Sequence, residues 1–153
     1  MLEQNRKSSF PIVMLLVSVA LWIASLSNVA FYLGNHESMK GLTVLILGSI
    51  FVSLDIRYCA AYANYVWLAA IVLLALRKKV VPVHAALWGL ALVVFSVKAV
   101  HVDEAGNTSD IVRYGAGFYL WYAAFAVATI GTFAGKNKER QATTLADGTK
   151  NDA

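Results

Sequence analysis

The sequence predicts an all-α membrane protein: a four-transmembrane-helix bundle with a short outer-face element, interfacial or re-entrant, between helices 1 and 2. Of the 153 residues, 59% are hydrophobic and 14% are charged, and the mean hydropathy is +0.61. Soluble domains carry about 25% charged residues, because their surface faces water. The apolar residues also form continuous runs instead of amphipathic periods, which indicates that lipid is the solvent. We expect a single membrane domain over residues 1–135.

Four apolar stretches provide the predicted spans, since about 20 apolar residues cross a hydrocarbon core of about 30 Å. Three of them are separate runs of suitable length. The fourth is the end of a 36-residue apolar segment, 41–76, which is too long for one span and short for two. The predicted spans are residues 11–33, 57–76, 80–100 and 115–135.

This assignment leaves residues 34–56 as the outer-face element. The element could extend helix 2 outwards, form a re-entrant or interfacial segment, or fold as a short β-hairpin on the membrane surface. Unsatisfied backbone is costly in lipid, so the helical arrangements are favoured. Among these, we expect a separate short helix with a hinge near residues 53–55.

The basic residues predict the orientation of the chain. With both termini in the cytoplasm, nine lysines and arginines lie inside and four lie outside, as the positive-inside rule requires. A five-span alternative would make residues 41–54 cross alone, although such a helix rises only about 21 Å, and would place the C-terminus outside. We therefore expect a multi-pass protein of the bacterial inner membrane with cytoplasmic termini. Residues 136–153 should form a polar cytoplasmic tail, disordered or a frayed helix extension.

Two charges interrupt the long apolar segment at its middle. Asp55 and Arg57 are two residues apart, and residues at that spacing do not face each other on a helix. Each is therefore expected to need another partner or water, and in a buried network the candidate partners are Lys98 for Asp55, and Asp103 or Glu104 for Arg57. The simpler interpretation is an acid at a helix start and a snorkelling interfacial anchor. The alternative is a buried network, since charges in a span usually face the protein interior or water.

Aromatic and amide side chains follow these charges. Tyr58, Tyr62 and Tyr65 are four and three residues apart and should share a helix face, as an interfacial aromatic belt or as a polar groove for a lipid headgroup. Asn64 lies deeper, where asparagine is more often interhelical glue than a ligand contact. The predicted binding residues of this outer-face polar cluster are Asp55, Arg57, Tyr58, Tyr62, Asn64, Lys98, Asp103 and Arg113.

Two pairs of glycines lie in the last predicted span. Gly115 and Gly117 would let a neighbouring backbone approach closely. Gly131 and Gly135 form a GxxxG motif, which is typical of helix dimers in membranes. A second copy of the chain is therefore one candidate partner, beside the lipid bilayer and another membrane protein.

Motifs for catalysis or metal binding are absent from the sequence. Cys59 is the lone cysteine, and neither HExxH nor a nucleophile elbow occurs. His36, His84 and His101 are isolated and lack close ligand spacing. We expect no enzymatic activity, no cofactor and no metal. Nucleic acid is not an expected partner, because the basic residues lie at span ends, where topology explains them.

Three short motifs occur in a fixed order along the chain. Glycines bound the apolar segment 41–48, Ala61-Tyr62-Ala63-Asn64 enters the second predicted span, and residues 114–121 (YGAGFYLW) open the last. In this order of features the chain resembles small, uncharacterised four-span bacterial inner-membrane proteins. The resemblance covers residues 11–135, is better after Ala60 than around residues 55–57, and implies a shared fold and no known activity.

Two classes of function fit this pattern. Small size, the lack of catalytic motifs and the outer-face polar groups favour a non-enzymatic accessory or interaction subunit of a membrane complex. The alternative is a small transporter, or a lipid- or small-molecule-binding protein, with a polar cavity near Asp55, Arg57 and Asn64. Inverted repeats would support a transporter, but the sequence contains no convincing internal repeat.

Overall fold

The computed structural model describes residues 10–53, 55–76, 80–102 and 107–148, and the side chains of these residues except 10–11 and 135–148. The chain is mostly helical. The helices are α1 (Phe10–Ser27), α2 (Gly41–Phe51), α3 (Ala63–Ala75), α4 (Val81–Val93) and α5 (Ala116–Gly148), with 3-10 helices at Ile56–Tyr62 and Val94–Ser96. The strands are β1 (Val29–Leu33), β2 (Ser38–Lys40), β3 (Ala99–His101) and β4 (Thr108–Tyr114).

The strands form one curled antiparallel sheet in the order β2-β1-β4-β3. β1 follows α1 and β4 leads into α5. Because β1 pairs with β4, with Phe31 opposite Tyr114, the end of α1 lies beside the start of α5. These two helices therefore run antiparallel along each other. β3 joins the end of α4 to the same sheet, with Ala99 opposite Asp110. We call this end of the helices the sheet end.

The four-span bundle predicted from the sequence is not supported. The first predicted span, 11–33, stops being helical at Ser27, and its last five residues are strand β1. The third, 80–100, ends its α-helix at Val93 and enters β3 at Ala99. Val29–Leu33 contains a valine and two aromatic residues, which favour strands, whereas Ala99–His101 becomes a strand by pairing with β4. A hydropathy run does not separate such a strand from the helix before it.

Two helical stretches are long and apolar enough to cross a membrane by length and composition: Ile56–Ala75 and Ala116–Ala134. They coincide closely with the second and fourth predicted spans. The core helix of a soluble protein passes the same test, so these lengths alone are weak support for a membrane location. The shorter apolar helices are Ile12–Ser27, Gly41–Phe51 and Val81–Ser96.

The segment between α1 and α3 contains more than the single element predicted for it. β1 and β2 form a hairpin in which Tyr32 pairs with Ser38. α2 then forms a separate short helix over residues 41–51, and the backbone leaves the helix in a turn at residues 52–53, close to the predicted hinge. At the other end of the chain, the predicted polar tail continues α5 as helix to Gly148, and residues 149–153 lie outside the described residues.

Two apolar clusters hold the helices and the sheet together. The first lies at the sheet end and contains Phe31, Leu33, Tyr58, Val100 and Phe118. The second lies among α3, α4 and α5, around Trp67, Leu87 and Phe125, with four alanines between them. The glycines predicted to allow close approach do so: a Cβ on Gly115 would collide with the Val29 carbonyl, and one on Gly117 would lie 2.7 Å from the Asn28 carbonyl oxygen.

Candidate ligand cavity

A cavity of about 80 Å³ lies at the sheet end, between α2, the 56–62 3-10 helix, the sheet and the start of α5. Most of its wall is apolar. Side chains from α2 form one side, and side chains from the end of α4 and from β3 and α5 form the other. The apolar wall includes Val44, Leu47, Val94, Val97, Val100 and Phe118.

Small residues let α2 and the 3-10 helix pack closely beside the cavity. Gly48 of α2 faces Ala61, and a Cβ on Gly48 would lie only 2.9 Å from the Ala61 Cβ. Ala60, also part of the wall, is buried with the sheet-end cluster. Larger side chains at Gly48 or Ala61 would push the two helices apart and so change this wall of the cavity.

The polar groups of the cavity include Arg57, Tyr58 and His101 at one side. The backbone N–H of His101 donates to the Tyr58 hydroxyl oxygen at 3.2 Å. The hydroxyl and His101 Nδ1 lie 2.8 Å apart, within hydrogen-bond distance. The ring of Phe51 stacks on that of His101 at 4.6 Å, which fixes the plane of the imidazole.

Asp55 and Arg57 are paired with each other, so the prediction that each needs another partner or water was wrong. Asp55 is the N-cap of the 3-10 helix and lies in extended backbone, so the helical spacing rule does not apply to it. Its carboxylate accepts from Arg57 Nε at 2.8 Å and from Nη2 at 2.5 Å, and from the Arg57 backbone N–H at 2.9 Å. The side-chain hydrogen bond from Arg57, followed by the backbone one, lowers the pKa of Asp55 from its ordinary value.

Asn64 connects three helices instead of presenting itself to a ligand. Its side-chain oxygen accepts hydrogen bonds from the indole N–H of Trp22 on α1, at 2.8 Å, and of Trp121 on α5, at 2.7 Å. Its amide donates to the Ala61 carbonyl at 2.9 Å. Asn64 and Trp121 both line the cavity. This amide therefore holds one wall of the cavity in place.

Further polar pairs lie deeper among the helices. Trp67 Nε1 donates to Ser18 Oγ at 3.0 Å, and that hydroxyl donates to the Ala124 carbonyl at 2.7 Å. His84 Nε2 lies 2.9 Å from the Thr132 hydroxyl, whose proton goes to the Ala128 carbonyl. These pairs satisfy buried polar groups, as a core requires, and lie outside the cavity wall.

The remaining predicted site residues are not brought to the cavity. Tyr62 is exposed and contacts Tyr65, whereas Tyr58 is buried. The expected shared face of the three tyrosines does not form, because Tyr58 and Tyr62 lie on a 3-10 helix whose turn differs from that of an α-helix. Lys98 is exposed. Arg113 lies on the sheet, with its guanidinium 4.2 Å from the centre of the Tyr32 ring.

Asp103 and Glu104, the predicted acidic partners, lie outside the described residues. Over the part of the chain that the structure describes, no group of three or more histidine, cysteine, aspartate or glutamate residues could hold a metal ion.

Sequence reasoning missed Trp22 and Trp121 as parts of this site, and it missed the contact of His101 with Tyr58. A signal for the tryptophans existed: an indole N–H inside an apolar run needs an acceptor, and Asn64 is an amide at comparable depth. His101 had no such signal, because its contact with Tyr58 depends on β3, which was read as the end of a helix.

Comparison of the chain with models of known protein families, with curated proteins and with solved structures finds no match. The function of the cavity is therefore argued from its geometry.

Proposed function

We propose that this protein is a non-enzymatic membrane protein that binds a lipid acyl chain in the cavity at its sheet end. One observation carries this proposal: the cavity wall is mostly apolar, and Arg57, the charged side chain among its described residues, stands near the hydroxyl of Tyr58 and the imidazole of His101. An amphipathic molecule has the same arrangement of a long apolar part and a polar end.

Exposed apolar side chains support a membrane environment for the helices. They occur on each of the five helices, and exposed apolar surface of this extent marks contact with lipid or with another protein. Examples are Ile12, Leu16 and Ile23 on α1, Leu42, Ile46 and Ile50 on α2, Leu68 and Val72 on α3, Leu92 on α4, and Ile130 and Phe133 on α5.

The size of the cavity favours a chain over a compact ligand. Sites that enclose a drug-sized molecule measure roughly 300–1,000 Å³, whereas this cavity measures about 80 Å³. It can hold a small apolar group, such as a short part of an acyl chain. The rest of that chain would extend between α2 and its neighbours into the surrounding lipid.

The chemistry at the cavity favours binding over catalysis. Ser25 lines the cavity, but its hydroxyl donates to the Trp22 carbonyl at 2.6 Å. A nucleophilic serine would instead be hydrogen-bonded to a general base. Asn64 is likewise engaged in structural hydrogen bonds.

The proposed location is the bacterial inner membrane, with the sheet end outside. The sequence places Arg77, Lys78 and Lys79 at the opposite end of α3, and basic segments favour the cytoplasmic side. Carbonate extraction should leave the protein in the membrane fraction. In a Cys59→Ser background, Ser38→Cys on β2 should react with a membrane-impermeant maleimide in intact spheroplasts. Release by carbonate would contradict the membrane proposal, and protection of Cys at position 38 would contradict the orientation.

Filling the cavity tests the binding proposal directly. Val44→Phe places a larger side chain in the wall, and Ile46→Phe makes the same change on the exposed face of α2. A monoacylglycerol with a brominated chain should quench tryptophan fluorescence in the purified full-length protein, because Trp121 lines the cavity. We expect Val44→Phe to weaken this quenching about tenfold in affinity, or ~1.4 kcal/mol, and Ile46→Phe to leave it unchanged.

Equal quenching in both variants and the parent protein would contradict the proposal. Purification from native membranes supplies a second readout, since bound lipid should be recovered with the parent protein and with Ile46→Phe. Recovery of a stoichiometric protein partner without lipid would instead support an accessory subunit.

A further inference from the structure

We infer that the bound lipid carries an anionic headgroup, a carboxylate or a phosphate, which binds the edge of the Arg57 guanidinium that Asp55 leaves open. This inference rests on the proposed function and specifies the class of its ligand. The two headgroup chemistries share one recognition principle, because guanidinium forms paired, charge-assisted hydrogen bonds to planar oxygen pairs.

The geometry of the ion pair determines which donors remain. A guanidinium group has five N–H donors arranged in a rigid fork. Asp55 occupies the edge formed by Nε and Nη2, with contacts of 2.8 and 2.5 Å. Within the described residues, no acceptor is found for the Nη1 donors of Arg57. The edge formed by Nη1 and Nη2 is therefore available for a second anion.

Asp55 also holds the guanidinium in position. Its carboxylate bonds both to the side chain and to the backbone N–H of Arg57, so the arginine is fixed before a ligand arrives. Ordering a long side chain on binding costs conformational entropy, and the ion pair with Asp55 reduces this cost in advance. The Arg57 side chain remains 53% exposed, so a headgroup can reach it from the membrane surface.

The charge of the cavity wall agrees with an anionic ligand. Arg57 is a cavity-lining cation, and among the described residues no carboxylate side chain lines the cavity; Asp55 pairs with Arg57 but is not part of this lining. Tyr58 and His101 line the same cavity, and the Tyr58 hydroxyl lies 2.8 Å from His101 Nδ1. A cationic headgroup such as an amine would meet the like charge of Arg57, which has no acceptor for its protons.

Three ligands with the same brominated chain separate the headgroup from the chain: the fatty acid, the lysophosphatidic acid and the neutral monoacylglycerol. Tryptophan quenching is measured in a neutral detergent for the full-length protein, Arg57→Gln, Arg57→Lys and Arg113→Gln. Arg113 is the matched control, because it also lies at the sheet end but does not line the cavity. Its guanidinium lies over the ring of Tyr32. We expect at least one anionic ligand to bind the parent protein about tenfold more tightly than the neutral one.

In Arg57→Gln, the ratio of the affinities for the anionic and the neutral ligand should fall to about one, while the neutral ligand still binds. Arg57→Lys should keep part of it, and Arg113→Gln should keep all of it. A preference for only one of the two anions identifies whether the source is a free carboxylate or a phosphate lipid. Equal binding of charged and neutral ligands to the parent protein would overturn the headgroup inference and leave the chain-binding proposal intact.

The absence of quenching by all three ligands would overturn both proposals. A preference that Arg113→Gln removes as fully as Arg57→Gln would assign it to the general charge of the sheet end. If Arg57→Gln does not fold, the outcome is decided by the affinity ratio of anionic to neutral ligand in three other proteins. These are the parent protein, Arg57→Lys and Arg113→Gln.

Discussion

The side-chain oxygen of Asn64 accepts a hydrogen bond from the indole N–H of Trp121 at 2.7 Å, which joins α3 to α5. The same oxygen accepts from Trp22 on α1 at 2.8 Å. One amide thus satisfies two bulky donors from two other helices, and a substitution here removes both contacts at once.

Asn64→Leu should therefore destabilise the fold by about 1–3 kcal/mol, because two largely buried indole N–H groups lose their acceptor. The measurement is the unfolding free energy of the purified protein in mild detergent. Asn28→Ala is the control, since that exposed side-chain amide, just after α1, donates to the Ala24 carbonyl of α1. Similar stability of the two variants would show that the three-helix contact contributes little.

The glycines supply a second prediction. Gly117→Ala should lower the yield of folded protein strongly, because its Cβ would lie 2.7 Å from the Asn28 carbonyl oxygen and 2.9 Å from that of Ser25, and both are backbone atoms. Gly89→Ala should be neutral or stabilising by roughly 0.5–1 kcal/mol, since alanine is the better helix former and no atom lies within 4 Å of its Cβ. Both are measured as monodisperse yield and thermal midpoint. A tolerated Gly117→Ala would contradict the close packing of α1 against α5.

The ion pair predicts a specific dependence on pH. Hydrogen bonds from Arg57 lower the pKa of Asp55 below its ordinary value of 3.8. A depressed carboxyl pKa contributes stability above the unfolded pKa and loses it as pH falls through the folded pKa. The parent protein should therefore exceed Asp55→Asn in stability at neutral pH, and the difference should shrink below about pH 4.

Thermal midpoints of the two proteins between neutral and strongly acidic pH measure this effect. Glu37→Gln is the control, because Glu37 is an exposed acid of the β1–β2 turn. A difference between the parent protein and Asp55→Asn that does not change with pH would show that the pair contributes nothing through ionisation.

Part of the site was accessible from the sequence because it depends on local patterns. The apolar runs predicted mostly helical structure, and two of the predicted spans coincide closely with the two candidate membrane-crossing helices. The role of Asn64 as interhelical glue followed from an amide placed in an apolar run. The close approach at Gly115 and Gly117 followed from the absence of a Cβ.

Other features were inaccessible because they depend on contacts distant in the chain. The sheet pairs β1 with β4, which are far apart in the sequence. Its strands are short and adjoin apolar runs or loops, so hydropathy does not distinguish them. The pairing of Asp55 with Arg57 was misjudged because the helical spacing rule assumes an α-helix, whereas Asp55 is an extended N-cap. The position of His101 beside Tyr58 required the location of β3.

By itself, the sequence determined where apolar helix can form and which residues interrupt it, because hydropathy and helix propensity act over a few neighbouring positions. Only the tertiary structure decided how the apolar runs divide into helix and strand, and that Tyr58 meets His101 at the cavity. Those choices depend on which backbone groups find partners across the sheet and which side chains meet between helices, and such contacts join residues far apart in the chain.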